Sequence, residues 1–380
     1  MKKKYIIFSL VTLVLLVALI TSFNYFKTTN TYIDDSFNNQ TKITKGISMN
    51  LEQTAGAGDY KTVTRSSWPT EGYNFNAELS RCENGSTLSW DDTKKAVIVS
   101  GNLSDKCYVY FDLARFDETC DGSTLACRIA KQYTGTQGEN SLYYHDSTLT
   151  NGAGDNSYRY AGASNNVNNY ICLGSDATTC PDANLFRIIG VFGDQTKVIR
   201  AKSVGDKEWD TNDSNTWSTS SLNTYLNGEY LTSLGTLADK IATTTWKVGG
   251  GSTTYLYDVP KTAYQYEVGS SASTTTYDAK IGLMYVSDYG FAADQSGWTT
   301  KLSSYNSNKS KNWLNTGKYI EWTLSRNSDN TDNAFGVIST GYVDNYNVTK
   351  SYVVRPSFNL ESSVKYVSGS GSMSGPVRVN

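Results

Sequence analysis

The chain has 380 residues, with 34 lysines and arginines against 36 aspartates and glutamates, and a single histidine. A net charge of −2 without a basic block leaves no electrostatic footprint for nucleic acid, and one imidazole removes most metal centres and most Ser-His catalysis. Five prolines and 13 % aromatics, 28 tyrosines among them, exclude a disordered, collagen-like or coiled-coil chain; the length suits two domains.

Lys2, Lys3 and Lys4 precede an apolar run from Tyr5 to Ile20 that extends to Phe23. A bilayer core needs about 20 mostly apolar residues, so residues 1–23 read as an uncleaved signal-anchor helix. A cleaved signal peptide is the alternative, with its best cut after Ser22. Both readings export everything after about residue 24, because the lysines stay inside. No cysteine precedes Cys82, which excludes a lipid-modified anchor, and no early glycine and glutamate mark a type IV prepilin. Residues 24–45 are polar and aperiodic and form a linker.

Over 46–113 the chain alternates at period two: Ile47, Met49 and Leu51; Tyr73, Phe75, Ala77 and Leu79; Cys107, Val109, Phe111 and Leu113. With the Asn84-Gly85 turn and the apolar Ala96–Val99 stretch between them, these strands predict a small β-sandwich. Residues 114–183 are rich in loops, with one short helix from Thr124 to Tyr133, and serve either as ordered decoration or as a binding surface. Six cysteines, at 82, 107, 120, 127, 172 and 180, read as disulfides in an oxidising compartment. Of the 15 pairings, sequence proximity favours Cys82–Cys107, Cys120–Cys127 and Cys172–Cys180, and CxxC-like zinc spacing is absent.

From residue 184 the periodicity sharpens. Leu185–Phe192 and Lys197–Ala201 flank a Gly193-Asp194 turn as a hairpin. A helix opens at Ser220-Ser221, carries Leu222, Tyr225, Leu226 and Tyr230, and is interrupted at Asn227-Gly228. A second covers Leu234 to Ala242, and strands are expected at 279–286, 319–325, 334–343, 351–360, 364–368 and 375–379. Two early helices and many late strands make residues 114–380 an α+β domain, mostly β.

The pieces Phe186–Phe192, Trp217-Ser218, Ser221–Tyr230, Trp322–Ser325 and Val354–Leu360, in that order, resemble an uncharacterised domain of surface proteins from low-GC Gram-positive bacteria. More distantly they are similar to the C-type-lectin-like fold of formylglycine-generating enzymes and retroelement-diversified binding proteins. The resemblance covers 184–380 and implies a strand pair displaying a variable loop surface, closed by an arginine-bearing strand. It implies no established activity. Trp217, Trp322, Leu324 and Phe358 are expected in the core, and Arg355 on buried carbonyls or a carboxylate.

Chemistry is sparse. No cysteine follows Cys180, so the formylglycine-type oxidation has no thiol. His145 lacks a nucleophile motif and reads as structural. No acidic residue sits in a glycosidase motif, although two carboxylates converging in space would suffice for a cell-wall or polysaccharide hydrolase. The loops Asp210–Asn215 and Asn327–Asn333 are rich in the oxygens calcium prefers, but lack the EF-hand glycine and glutamate. Solvated turns account for them, and no cofactor is called for. The hairpin around Tyr342, Asp344, Asn345, Tyr346 and Asn347 combines tyrosine with amides, the composition of adaptable binding loops. The expectation is a membrane-anchored extracellular binding or adhesion protein for a glycan or protein ligand, without covalent chemistry. A structural cell-surface or appendage component is the alternative.

Overall fold

The structure is a computed structural model that describes residues 46–64, 67–69, 71–101, 105–317 and 319–380. The expected anchor helix and linker lie outside the described residues. Among the described residues no helix is long and apolar enough to cross a membrane. The chain forms two compact units, Met1–Arg115 and Phe116–Asn380. It is a mostly-β α+β protein with several mixed sheets.

In the first unit the strands are β1 (Ile47–Glu52), β2 (Tyr60–Val63), β3 (Tyr73–Cys82), β4 (Thr87–Asp91), β5 (Ala96–Ser100) and β6 (Cys107–Leu113). Four of them make a mixed sheet ordered β2-β1-β6-β3, and β4 and β5 form a separate hairpin. Met49, Leu51, Val109 and Phe111 from the sheet share a core with Trp68 and with Ala96, Val97 and Val99 of the hairpin. Alternation explains that face: residues two apart point to the same side. It fails at Ala77 and Leu79, which are exposed, because the β3–β6 register shifts between Asn76 and Arg81. A bulge there reverses which side chains face inward.

The second unit opens with a single helical turn, Phe116–Thr119, and then a helix, Leu125–Ala130, whose N-cap Thr124 accepts from the Cys127 amide. Its strands are β7 (Leu142–His145), β8 (Ser157–Tyr160), β9 (Tyr170–Cys172), β10 (Leu185–Phe192), β11 (Gln195–Arg200), β12 (Asp206–Glu208), β13 (Thr244–Lys247) and β14 (Thr276–Ala279). They continue as β15 (Ile320–Arg326), β16 (Asn333–Ile338), β17 (Val343–Asn347), β18 (Ser351–Val353), β19 (Ser357–Leu360), β20 (Tyr366–Ser368) and β21 (Val377–Val379). An eight-stranded sheet runs β19-β11-β10-β9-β21-β20, with β8 also on β10 and β7 on β8; a five-stranded sheet runs β12-β18-β15-β16-β17. The loop-rich 114–183 stretch is therefore not decoration throughout: its Tyr144, Tyr158, Tyr160 and Ile171 are buried in the main core.

Several local expectations change: the strands expected at 334–343 and 351–360 are each split, at 339–342 and 354–356, and the helix expected over Leu234 to Ala242 is a 3-10 helix, Gly235–Lys240. The helix from Ser221 is not broken at Asn227-Gly228; it continues through a π-helical turn, Leu226–Tyr230, into Leu231–Ser233. The wide turn presents the Asn227 amide to the Ile281 backbone, where it donates to the carbonyl and accepts from the amide, each at 2.9 Å. That backbone belongs to 279–286, which is extended and buried but is not a strand; it meets Ser357 at one bridge and then enters the helix Val286–Phe291. Gly282 is required there, since a Cβ would lie 2.9 Å from the Trp246 ring.

The cysteines pair as proximity suggested: Cys82–Cys107, Cys120–Cys127 and Cys172–Cys180. Three disulfides and no free cysteine among the described residues place the chain in an extracellular or otherwise oxidising environment. Trp217, Trp322, Leu324 and Phe358 are all buried. Arg355, also buried, donates from Nε to Glu321 at 2.7 Å and from Nη2 to the Leu314 carbonyl at 2.8 Å. Burial raises the Glu321 carboxyl above its ordinary range, and the Arg355 guanidinium opposes that.

Candidate functional site

The five-stranded sheet carries an aromatic face. On β15 the Trp322 ring is buried, and its Nε1 donates to the Lys207 carbonyl at 3.0 Å. Tyr352 of β18 lies over it with ring centres 4.9 Å apart, and Tyr346 of β17 meets Tyr352 edge-on at 5.3 Å. Tyr319, just before β15, approaches Tyr352 at 6.5 Å and is 76 % exposed. Gly336 of β16 allows the close approach of β15, because a Cβ would stand 2.9 Å from Ile320 and 3.1 Å from the Glu321 carbonyl. The outcome is a row of three tyrosines on a buried tryptophan. Rings of this kind offer large rigid contact area at little entropic cost.

The five residues expected in a binding loop lie beside or on β17 rather than at a free tip. Tyr346 belongs to the aromatic face. Tyr342 packs partly buried against the main core. Asp344 accepts from the Tyr257 hydroxyl at 2.5 Å, and Asn345 donates to that hydroxyl and accepts from Asn333 at 2.8 Å. Burial first, and the Asp344 bond second, push the Tyr257 hydroxyl up to about 12. Asn347 donates to Asp213 at 2.7 Å and accepts from Thr349. These polar groups hold the sheet to its neighbours, while Tyr346 alone of the five faces the tyrosine row. Tyr319 was missed: no periodic signal separates a lone exposed tyrosine before a strand from the other 27.

The two oxygen-rich loops meet each other. The Asn215 amide nitrogen lies between the carbonyls of Asn327, Asn330 and Asn333 at 2.9, 3.0 and 2.8 Å, and its oxygen accepts from Arg326. Asp210 spends both oxygens on the amides of Ser221, Asn212 and Ser214. No group of three metal-ligating side chains occurs among the described residues.

A second constellation was invisible in the sequence. In a cleft of about 180 Å³, Lys197 of β11 binds Asp288 at 2.5 Å, Asp288 lies 3.5 Å from Arg159 of β8, and Arg159 reaches Asp155 at 2.5 Å. Phe192, Trp246, Tyr264 and Tyr285 wall the cleft. Desolvation lowers the Lys197 ammonium below its ordinary value, with Asp288 opposing the shift. Across the cleft the Asn359 oxygen is buried without a hydrogen-bond partner. These residues are up to 204 positions apart in the chain (155 to 359), so no local motif joins them. The one hint was a lysine inside an apolar hairpin strand.

His145 is fully buried between Phe291 and Trp298, ring centres at 4.9 and 5.0 Å, and its Nδ1 accepts from the Ala153 amide at 3.1 Å. Burial lowers its pKa to about 3, so the ring is neutral. A larger groove, about 630 Å³, lies between the Gly174–Thr178 loop, Lys240 and Arg378. Arg378 spends its guanidinium on the carbonyls of Ser175, Ala177 and Thr178, and thereby holds the loop.

Residues 193–362 match a domain of unknown function, DUF6273. The match covers less than half of the 380 residues and includes the aromatic face, Lys197, Asp288 and Asn359. No curated protein and no solved structure matches the chain.

Proposed function

We propose that the chain is an extracellular recognition protein, held at the membrane by its N-terminal apolar run, whose second unit presents the Tyr319–Tyr346–Tyr352 face to a glycan. The observation that carries this reading is the tyrosine row itself, with Tyr319 the most exposed large aromatic among the described residues. Sugars present flat C–H faces that stack on such rings, and tyrosine hydroxyls and nearby amides supply hydrogen bonds. The first unit, with its sheet and hairpin sharing one core, acts as a small β-sandwich spacer. The Phe116–Asn380 unit is a C-type-lectin-like domain of the kind found on low-GC Gram-positive surfaces, its closing strand fixed by Arg355. Recognition here needs neither calcium nor covalent chemistry, and the polar atoms of the oxygen-rich loops are already committed to each other.

A glycan array probed with the 46–380 fragment, which contains both units, tests the proposal. Saturable binding to a restricted set of glycans is expected. A blank array overturns the glycan reading.

A further inference from the structure

The Lys197 cleft has features that ligand recognition does not use. Its charged groups are buried and paired with one another, yet one polar atom, the Asn359 side-chain oxygen, is left with no partner. An unsatisfied buried carbonyl is costly, so its retention calls for a reason. The register supplies one. Lys197 of β11 and Asn359 of β19 are direct antiparallel partners. Directly opposed residues project from the same face of a sheet with Cβ atoms about 4.5–5.5 Å apart, well within the reach of a lysine. Both side chains line the same cleft, and Asp288 lies 2.5 Å from the lysine nitrogen.

We propose that Lys197 and Asn359 become joined by a side-chain amide, an isopeptide bond that locks β11 to β19. Asp288 first takes a proton from the Lys197 ammonium and frees the lone pair on Nζ. The Nζ then attacks Cγ of Asn359, the Nζ–Cγ bond forms, Nζ gives up its second proton, and Asp288 passes both protons in turn to Nδ2. The Cγ–Nδ2 bond breaks and the nitrogen leaves as ammonium. Atoms and charge balance without oxidant, reductant or cofactor. Two features favour the neutral amine that the attack needs, and a third orients the amide it meets. The site is nearly closed to water, and Phe192, Trp246 and Tyr285 surround the nitrogen at 5.6, 5.4 and 4.6 Å. The desolvation that lowers the ammonium's pKa acts in the same sense. Thr244 accepts from Asn359 Nδ2 at 3.0 Å and so fixes the orientation of the amide.

Asp288 is the proton carrier and not the electrophile. It is held by Lys197, by Arg159 and by the Tyr285 amide at 2.9 Å, an arrangement that suits a carboxylate, whereas Asn359 is neutral with a free carbonyl.

Intact mass of the purified full chain, followed by tryptic mapping, tests this directly. The expected protein is lighter than its disulfide-bonded sequence by one ammonia, with a branched peptide in which 188–200 is joined to 351–365 through Lys197 and Asn359. Trypsin no longer cuts after Lys197. Lys197→Met and Asn359→Ala restore the ammonia-free difference to zero, and Asp288→Ala leaves the two peptides unjoined. Because the wild-type map stands on its own, a variant that fails to fold does not blunt the test. Separate, unmodified peptides from folded wild-type chain overturn the proposal. Loss of water with 188–200 joined to 281–301, the segment bearing Asp288, also overturns it.

Discussion

The two units stabilise themselves by different means, and the contrast follows from the size of their cores. Among the described residues the first unit's core is a cluster of nine buried apolar residues, Phe111 among them, and Cys82–Cys107 ties the end of β3 to the start of β6. The second unit buries several times as many and needs no cysteine beyond residue 180. A small core yields little surplus over chain entropy, so a covalent tie contributes a large share of it. The larger core tolerates the desolvation cost of whole charged networks: Arg355 with Glu321, and Lys197 and Arg159 with Asp288 and Asp155. Buried ion pairs of this kind thus mark the second unit, where recognition and the proposed cross-link reside, whereas the buried Glu52 and Asp105 of the first unit accept from backbone amides.

Breaking each unit at its own centre gives the largest effects. Phe111 contacts the rings of Trp68, Phe75 and Trp90, and Phe111→Ala should cost about 3–5 kcal/mol, unfolding the first unit. Chemical denaturation should then show the first transition lost and the second unchanged. In the second unit, Arg355→Ala strands the Glu321 carboxylate in the core and should cost about 3–5 kcal/mol, seen as a lower denaturation midpoint of that unit only. Reduction sharpens the comparison further. The Cys82–Cys107 bridge closes 25 residues of chain against 7 and 8 for the other two, and its loss should cost the first unit about 3 kcal/mol. If reduction lowers the second unit's midpoint more than the first's, the contrast between stapled and packed cores is wrong.

A smaller effect depends on pH. His145 titrates near 6.5 when unfolded and at about 3 when folded, because burial disfavours its charged form. Between those values the unfolded chain holds a proton that the folded chain does not, so stability rises with pH. From pH 6 down to pH 5, acidification should remove up to about 1.4 kcal/mol through this group. Comparing the wild type with His145→Phe across that interval isolates the contribution, and equal slopes would show that the ring charges within the fold. Smallest of all, Tyr319→Ala should shift stability by less than about 0.5 kcal/mol, since an exposed ring holds little of the fold.

The sequence was informative wherever the determining contacts are local. The β10–β11 hairpin follows from two apolar runs around a Gly-Asp turn, and the three disulfides from short spacing in an oxidising compartment. It misled where a side chain reaches across the fold: Asn227 looks like a helix breaker until its amide is seen on the Ile281 backbone. The tyrosine-and-amide composition near residue 345 pointed to the right sheet, but Asp344 and Asn345 are committed to Tyr257, and the exposed ring belongs to Tyr319. The Lys197 cleft was beyond reach because its polar members, Asp155, Arg159, Lys197, Asp288 and Asn359, come from four separate stretches of the chain.

The central claim is recognition through the tyrosine row, and the most direct test is glycan binding by wild-type 46–380 fragment beside a Tyr319→Ala, Tyr346→Ala, Tyr352→Ala variant. Both are to be checked first for matching denaturation transitions. The account predicts that array signals of the wild type disappear in the variant while its fold persists. Equal binding by a folded triple variant would contradict it.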